Sequence, residues 1–377
     1  MRGRRHHQPD GTQLRYAYGP EPQTSICTIE RSTLHRRLLE HVLRLSNVEI
    51  RFEHRCLHVE RTGAEIHFQG PAGPVVVPSG GHLVTGCDGV WSRVRAAVQA
   101  STGVPFSVTT HSHRYKALTM NDEATRSLDR EAMHVWTHGR QMVVAQPRWD
   151  GGFSAALLAP PQAFARLSSP TAIRGFFERC LPTLSPLLAR ATEDLMAHRV
   201  GRLTTVSGRR WHSGNLLVIG DAAHGMVPLF GQGMNASFED ARLLADQMGG
   251  AQGDWRRAVP RFTASRVADG RAIARMSHDN YPELAGGDAV QPGLQAWRAL
   301  EQQMMLRHRD VPVSFHNLVC FSHTPYRKAL RCKARQVAMF GRLLRGKRDV
   351  SDLDGSTVDA ELRAHRSFVD RVARGAA

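Results

Sequence analysis

The chain has 377 residues and a mass of 41.9 kDa, enough for two or three domains at about 150 residues per domain. Hydrophobic residues make up 41% and charged residues 22%, which is typical of globular proteins and excludes the disordered and fibrous classes. The 50 Lys and Arg residues exceed the 34 Asp and Glu residues and give a formal net charge of +16. Such an excess suits a nucleic-acid partner where it is concentrated on one surface, so composition alone leaves that function class open.

The cysteines and the start of the chain indicate a protein of a reducing compartment. None of the six cysteines forms a C-x-x-C pair or a metal-ligand spacing, so we expect unbridged thiols. The basic start MRGRRHHQPDG leads into no apolar segment, and no apolar run reaches the roughly 18 residues that span a bilayer. We therefore expect a cytoplasmic protein with no membrane anchor.

The first hundred residues predict a mixture of helices and strands. A stripe of apolar residues at helical spacing predicts an amphipathic helix over Ser32–Leu45, with one face packed on a sheet. Alternating apolar residues predict strands over Asn47–Phe52 and Glu65–Phe68. A further strand, loop and helix are predicted over His82–Val84, Gly86–Gly89 and Ser92–Val98. Loops in such β–loop–α units commonly hold ligands.

Between about residues 104 and 160 the pattern changes to short β-rich segments separated by turn residues. These segments predict an antiparallel sheet with strands at Met133–Trp136, Met142–Ala145 and Phe153–Leu158. A helix is predicted next, over Thr171–Cys180.

The most informative segment is NLLVIGDAAHGMVPLFGQGMNASFED, residues 215–240. An apolar strand at its start ends at Asp221, whose carboxylate is suited to accept hydrogen bonds from sugar-alcohol hydroxyls. Gly231 and Gly233 let the backbone approach a flat ligand closely because no Cβ intervenes. A helix predicted over Phe238–Met248 follows, and its positive end favours an anion or a ring that acquires negative charge, as reduced flavin does.

Two segments, GCDGVWSRVR at 86–95 and GDAAHGMVPLFGQGMNASFED at 220–240, resemble the two internal FAD motifs of the single-component flavoprotein aromatic hydroxylases. Their order and separation also fit. More narrowly, the chain resembles the kynurenine 3-monooxygenase branch of that family. Further matching segments are YAYG at 16–19, IERSTLHRRLLEH at 29–41, YKALT at 115–119, MHVW at 133–136, NYPE at 280–283 and CFSHTPYRKAL at 320–330.

The resemblance implies an α/β (α+β) fold of the FAD-dependent aromatic hydroxylase type. Its parts would be an N-terminally incomplete dinucleotide-binding domain, a β-rich substrate domain and a helical C-terminal region. The implied segments are 1–103 for the partial FAD-binding domain with the substrate-clamp segment, 104–200 for the β-rich domain, 201–275 for the continued FAD-binding domain, 276–350 for the helical region and 351–377 for a polar tail.

The resemblance also assigns the cofactor site. Arg31 would contact FAD, Asp88 and Gly89 would lie in the loop shared by FAD and the nicotinamide cofactor, and Asp221 would bind the ribityl chain. The residues that would frame the isoalloxazine are Pro228, Phe230, Gly231, Gln232, Gly233, Met234 and Asn235.

The substrate site is assigned in the same way. The family's clamp for the substrate carboxylate matches Arg4 and Tyr18, with Asn280 and Glu283 lining the pocket nearby. Where the family has a further pocket tyrosine, an ungapped count places His316 in this chain. A histidine can still donate a hydrogen bond, but its charge near neutral pH differs from that of tyrosine.

The implied reaction is NADPH- and FAD-dependent hydroxylation of L-kynurenine, or of a close analogue, at position 3 of the ring, with O2 as the oxygen source. A bidentate arginine and a tyrosine hydroxyl would orient the substrate carboxylate while the cofactor performs the chemistry, so no protein acid or base is nominated. The expected partners are a small-molecule substrate and O2, with no metal, and the expected assembly is a monomer or homodimer.

Two further features depart from the family pattern. The family opens with a strand, a G-x-G-x-x-G turn and a helix that hold the pyrophosphate, and this sequence contains no G-x-G-x-x-G. Three explanations stay open: a start codon assigned too far downstream, a truncated non-catalytic relative that binds ligands or partners, and a chain completed by a separate polypeptide. We favour the first. In addition, residues 351–377 are polar and charged, whereas membrane-anchored members carry a hydrophobic helix there.

A basic run from Arg327 to Arg348 is the feature that favours a nucleic-acid binder. No recognised nucleic-acid motif, such as an RRM signature or zinc-finger spacing, accompanies it. We interpret the run as a solvated helix face that helps to attract anionic NADPH, and we expect no nucleic-acid partner.

Overall fold

The computed structural model describes residues 1–8, 10–19, 24–149, 151–281, 294–307, 314–345, 347 and 352–374. The strands are β1 Gly3–His7, β2 Gln13–Ala17, β3 Arg55–Val59, β4 Glu65–Gly70, β5 Gly73–Pro78, β6 Val84–Gly86, β7 Ser107–Thr119, β8 Ala132–His138, β9 Gln141–Pro147, β10 Phe153–Ala159, β11 Gly201–Ser207, β12 His212–Ser213 and β13 Leu216–Val218.

The α-helices are α1 Arg31–Val42, α2 Arg93–Thr102, α3 Pro161–Arg166, α4 Pro170–Cys180, α5 Ala191–Ala197, α6 Asp221–His224, α7 Gly233–Gly250, α8 Trp255–Asp279, α9 Leu294–Arg307, α10 Phe315–Phe321, α11 Tyr326–Leu343 and α12 Gly355–Arg374. Short 3₁₀ helices form at Ala124–Ser127, Ser185–Leu187 and Pro228–Phe230.

One sheet has seven strands in the order β11-β7-β10-β9-β8-β1-β2, and all its neighbours run antiparallel except β1 and β8. The antiparallel sheet predicted from residues 104–160 is therefore confirmed, and three strands from outside that segment extend it. On one face Trp136, Val143 and Leu157 are buried in a core that α4 covers with Ile173 and Phe177. The implied domain boundaries stay predictions, and this sheet draws strands from three of the segments.

A smaller sheet carries the strand that leads to Asp221. Strands β6 and β13 pair in parallel, and β12 pairs antiparallel with β13. Leu216, Leu217 and Val218 are all fully buried, since Val98 of α2 and Phe262 of α8 belong to the same core. A strand buried on both faces reads as a continuous apolar run, which is why this strand could be predicted.

Two predictions for the first hundred residues are wrong. Helix α1 forms, but none of its residues is buried and Leu38 is 44% exposed, so the expected packing on a sheet is absent from the described structure. Asn47–Phe52 forms no strand, and Phe52 is exposed. Apolar periodicity reports which face of a segment is apolar, but it does not report whether a partner element is there to cover that face.

The segment predicted as a polar tail forms a packed helix, α12. Val358, Leu362, Val369 and Val372 recur at spacings of four, seven and three, and all four are buried, together with His365. These residues share cores with α11. The helical stripe lies within residues 351–377, of which 9 of 27 are charged, and so the composition concealed it.

Three members of the basic run form ion pairs within the chain. The pairs are Arg327 with Asp269, Lys333 with Asp279 and Arg342 with Glu361. Packing of α11 against α8 and α12 therefore neutralises part of the charge that the sequence concentrates here.

All six cysteines are free, as predicted. Cys332 is buried, whereas Cys27 and Cys87 are exposed. None of the helices in the described ranges is both long enough and apolar enough to cross a membrane.

A glycine in α8 allows a close helix–tryptophan contact, and it provides a test of this packing. A Cβ on Gly270 would lie 2.5 Å from ring carbons of the fully buried Trp211. We expect Gly270→Ala to destabilise the protein by about 1–3 kcal/mol through overpacking, which thermal denaturation measures. Gly341 in α11 has no atom within 4 Å of such a Cβ, so the control Gly341→Ala should stabilise by up to about 1 kcal/mol. Equal melting temperatures for the two variants would contradict the packing.

Candidate active site

A cavity of about 840 Å³ opens against one face of the seven-stranded sheet. Successive strand residues point to opposite faces, so alternate residues of β1 and β8 reach it. Arg4 lies opposite Met133, and His6 lies opposite Val135, in the parallel pairing of these strands. Tyr16 on β2 lies on the other side of Arg4. One row of side chains across three strands therefore forms a wall of the cavity.

Part of this wall is apolar, although Gln8, Thr137 and Gln146 also line the cavity. Met133, Val135, Met142 and Val144 line it from β8 and β9, and Phe230 lines the cavity from the loop before α7. A concave apolar surface with a few polar groups at one end is typical of a site for a small aromatic molecule.

The loop before α7 supplies a backbone surface without side chains. Gly231 has a φ of +64°, a conformation that favours glycine, and no atom lies within 4 Å of where its Cβ would be. Helix α7 begins at Gly233, and Gln232 makes no side-chain hydrogen bond that caps it. The first N–H groups of α7 therefore give this end of the cavity a partial positive charge.

A buried ion pair fixes the turn that precedes this loop. Asp240 is fully buried in α7, and its Oδ2 accepts hydrogen bonds from the Gly220 backbone N–H at 2.8 Å and from His224 Nε2 at 2.6 Å. Its Oδ1 accepts from Arg266 Nε of α8 at 2.6 Å. Gly220 has a φ of +59°, so the turn at this point depends on glycine.

The contacts of Asp240 keep its carboxylate ionised although it is buried. Burial alone would raise the pKa of Asp240, but the hydrogen bond and charge of His224 and the charge of Arg266 outweigh burial, so the pKa lies below its usual range. The Asp240 carboxylate therefore stays ionised, which an unpaired carboxylate in such a position would not.

The polar end of the cavity is formed by Arg4, Tyr18 and His316. The Arg4 guanidinium carbon lies 5.7 Å from the centre of the Tyr18 ring, and Arg4 Nη2 lies 3.4 Å from His316 Nε2. Tyr18 is 6% exposed, and burial raises the pKa of its hydroxyl although Arg4 opposes that shift, so the hydroxyl is neutral at pH 7. Of these three residues, Arg4 supplies a fixed positive charge and Tyr18 a neutral hydroxyl.

A smaller cavity of about 230 Å³ adjoins this polar end and shares Arg4, Tyr18 and His316 with the larger one. Its remaining charged residues come from the C-terminal helices and include Lys333, which lies 3.1 Å from Asp279 Oδ2. The two cavities therefore meet at Arg4, Tyr18 and His316.

Nine of the predicted site residues meet at the larger cavity. They are Arg4, Tyr18, Pro228, Phe230, Gly231, Gln232, Met234, Asn235 and His316. Asn280 lines the smaller cavity. Arg31, Asp88, Gly89, Asp221 and Gly233 line neither cavity, and Glu283 lies outside the described residues.

The residues that do not line the cavities have other surroundings. Asp88 Oδ2 accepts a hydrogen bond from the Arg93 backbone N–H at 2.6 Å, which caps the start of α2. Arg31 is exposed at the start of α1. Asp221 is exposed at the start of α6, and a Cβ on Gly233 would lie 3.9 Å from its Oδ1, so its carboxylate faces the start of α7. The roles assigned to these residues stay predictions.

Sequence reasoning missed several residues of the site. It assigned no role to Asp240 or Arg266, although Asp240 lies inside the most informative segment, because an acidic residue in a helix is usually solvated. It also missed Cys320, whose Sγ lies 3.7 Å from His316 Nε2 and whose pKa burial raises to about 11. The spacing of four between His316 and Cys320, one helical turn, was the available signal.

Comparison with known proteins shows the family of this chain. A family model described as an FAD binding domain matches residues 6–258. The chain belongs to the FAD-binding family of aromatic monooxygenases that includes the kynurenine 3-monooxygenases. It is 30% identical over 363 residues to the kynurenine 3-monooxygenase of Legionella pneumophila, and the match covers 95% of this chain and 80% of that protein. The corresponding enzyme of Xanthomonas campestris is 33% identical, with coverages of 97% and 80%.

Solved structures show the same fold at lower sequence identity. The p-nitrophenol 4-monooxygenase PnpA of Pseudomonas putida has a TM-score of 0.59 and 18% identity, and the match covers 82% of this chain and 78% of that one. HpxO of Klebsiella pneumoniae, complexed with FAD and uric acid, has a TM-score of 0.58 and 19% identity, with coverages of 81% and 76%. The predicted fold of the FAD-dependent aromatic hydroxylases is therefore confirmed.

The residues present fit the isoalloxazine and ribityl part of FAD. The backbone at Gly231 faces open space, the free N–H groups of α7 point to the same place, and the Asp221 carboxylate is exposed beside them. A flat ring that acquires negative charge matches this combination of bare backbone and positive helix end.

The buried pair can be tested against an exposed one in the same helix. We expect Asp240→Asn to destabilise the protein by about 3 kcal/mol in thermal denaturation, because the buried Arg266 then keeps only its ion pair with the partly exposed Glu239. The control Asp246→Asn removes an exposed ion pair with Arg242 and should cost less than about 1 kcal/mol. Because the pKa of Asp240 is lowered by folding, its contribution is present above the ordinary aspartate pKa of about 3.9 and is lost as the pH falls below it. A small effect of Asp240→Asn at pH 7 would contradict this role.

Proposed function

We propose that this protein hydroxylates the aromatic ring of L-kynurenine, or of a close analogue, at position 3, using FAD, NADPH and O2. The observation that carries the proposal is one cavity that joins a glycine-lined flavin surface, an apolar wall and a cationic end at Arg4. The kynurenine 3-monooxygenases named above share 30–33% identity with nearly the whole chain, which supports the same choice.

The polarity of the cavity suits an aromatic amino acid. Arg4 would bind the substrate carboxylate through charge-assisted hydrogen bonds, with the Tyr18 hydroxyl beside it. The ring would then lie against Met133, Val135 and Val144, which exclude water from the reacting atoms. The two ends of the substrate are held by different parts of one sheet face, so its orientation relative to the flavin surface is set by β1 and β8.

The cofactor would be held by residues on either side of the glycine loop. Asp221 would accept hydrogen bonds from the ribityl hydroxyls, and the backbone from Gly231 to Asn235 would lie along the ring. Bound FAD supplies electron transfer and oxygen activation, with electrons from NADPH. Arg31, Asp88 and Gly89 are proposed to contact the cofactors where these extend beyond the cavity.

The protein groups around the substrate ring act by position and not by proton transfer. The Tyr18 hydroxyl and the Cys320 thiol both have raised pKa values, caused chiefly by burial, and remain neutral at pH 7. Neither group therefore adds a charge beside Arg4.

Replacement of Arg4 tests the substrate site. We expect Arg4→Ala to raise the KM for L-kynurenine by about 10–100-fold, equivalent to a lost charged hydrogen bond of about 1.5–3 kcal/mol, while FAD content stays unchanged. Kynurenine-dependent NADPH oxidation and 3-hydroxykynurenine formation measure this. The control Arg2→Ala alters the arginine two residues earlier, whose exposed side chain lies 3.5 Å from Glu131, and should leave KM unchanged. Absence of any 3-hydroxykynurenine from a flavin-loaded protein would refute the proposed function.

Replacement of Asp221 tests the flavin site. The absorbance spectrum of the purified chain, after incubation with FAD and removal of free cofactor, reports bound flavin directly. We expect Asp221→Ala to weaken FAD binding by about 10–100-fold, because the ribityl hydroxyls lose an ionised acceptor. Asp246→Asn serves again as the control, since Asp246 is exposed and forms an ion pair with Arg242 on the surface of α7. Full flavin content in Asp221→Ala would remove this residue from the site.

A further inference from the structure

His316 occupies a confined position at the polar end of the cavity. Its ring stacks on Tyr18, with ring centres 5.9 Å apart, and on Phe230, with centres 5.5 Å apart. The interplanar angles are 17° and 25°, so the imidazole lies between two nearly parallel rings. This arrangement leaves the edge of the imidazole as the part that meets polar groups.

The nitrogen at that edge faces a hydrogen-bond donor. Arg4 Nη2 lies 3.4 Å from His316 Nε2, and a guanidinium has only donors. This hydrogen bond forms only while Nε2 carries no proton, that is, with the neutral imidazole. The Cys320 thiol, 3.7 Å from the same nitrogen, is also able to donate to it.

A carboxylate bound at Arg4 requires His316 Nε2 to donate a hydrogen bond and not to accept one. Carboxylate oxygens only accept, so a carboxylate on Arg4 places acceptor atoms against an acceptor nitrogen. Protonation of Nε2 turns that nitrogen into a donor and adds a positive charge beside the new negative one. A tyrosine, which is what the related enzymes are expected to have here, donates through its hydroxyl without any such change.

We infer that the binding of a substrate carboxylate to Arg4 is coupled to the uptake of one proton by His316. The inference rests on the proposed function, because it requires a carboxylate ligand at Arg4. His316 is a positioning residue for that carboxylate, and its protonation makes anion recognition in this chain dependent on pH.

The charges that face His316 support the coupling. Among the described residues that line the smaller cavity, the cations are Arg4, Arg298 and Lys333, the anions are Asp279 and Glu301, and His6 is a further titratable residue. Before a ligand binds, this excess of positive charge disfavours a further proton on His316. A carboxylate on Arg4 places a negative charge beside His316 and so favours the imidazolium. Tyr18 and Cys320 contribute no charge near neutral pH, since both have raised pKa values caused chiefly by burial.

The sign of the pH dependence follows from the coupling. Binding raises the pKa of His316, so affinity is complete below the pKa of the free site and is lost as the pH rises through the pKa of the complex. We expect the apparent Kd for L-kynurenine to rise by up to about tenfold per pH unit within that window.

Calorimetry counts the proton directly. L-Kynurenine is titrated into the FAD-saturated chain at pH about 7 in two buffers of different ionisation enthalpy, and the difference in heat gives the number of protons taken up. We expect an uptake approaching about one proton per ligand, as full coupling requires. Kynuramine, which has the same ring and no carboxylate, is the control ligand and should bind with no such uptake.

Two variants separate His316 from other titrating groups. His316→Gln keeps a polar side chain that does not titrate, and His316→Tyr restores the residue type expected in the related enzymes. Both should bind L-kynurenine without the proton uptake of the natural chain and with a flatter pH profile.

Uptake that persists in both variants would assign the proton elsewhere. Binding to the natural chain without uptake would mean that His316 only changes tautomer, and would overturn the inference while leaving the proposed function intact. No binding of either ligand would overturn both.

Discussion

The buried contact between Asp240 and Arg266 is the interaction on which the arrangement of the cavity depends. It joins the end of β13, the short helix α6 and the two long helices α7 and α8 at one carboxylate. Since Gly220 and His224 are held by the same oxygen, the turn that carries Asp221 cannot shift without breaking the pair. An ion pair of this kind adds little net stability compared with apolar packing, but it is costly to leave half-formed. The loop before α7 therefore keeps its position, because a shift would leave the buried Asp240 carboxylate without its hydrogen-bond partners.

The second constraint is the alternation of side chains along the strands. Arg4 and Met133 face the cavity, while their neighbours on the same strands, such as His134 and Trp136, are buried in the opposite core. The site and the core are thus two faces of one sheet, and they share a single register. The helical region completes the site from the other side, through His316 and Cys320 of α10. Parts of the chain more than 300 residues apart consequently meet at one hydrogen-bonding group, Arg4.

Sequence reasoning succeeded where a pattern is local and failed where the outcome depends on a partner. The strands from β8 to β10 and the glycine loop could be predicted because alternation and glycine chemistry act within a few residues. The exposure of α1 and the irregular structure of Asn47–Phe52 could not, since each depends on which element lies nearby. Helix α12 was missed because its apolar stripe is sparse. The family resemblance assigned both Arg4 and His316 to the substrate site, and only the structure shows the contact between them. No spacing in the sequence links two residues so far apart.

The shared register of site and core has a consequence for how this scaffold changes over time or in the laboratory. Point substitutions at positions 4, 6, 133 and 144 alter the shape and polarity of the cavity, while the buried residues of the sheet stay unchanged. An insertion or deletion of one residue in β1 or β8 reverses the direction in which the following side chains point. Side chains of the core would then point into the cavity, and side chains that line the cavity would point into the core. New substrate preferences are therefore accessible on this sheet by substitution alone, and length variation is confined to the loops between its strands.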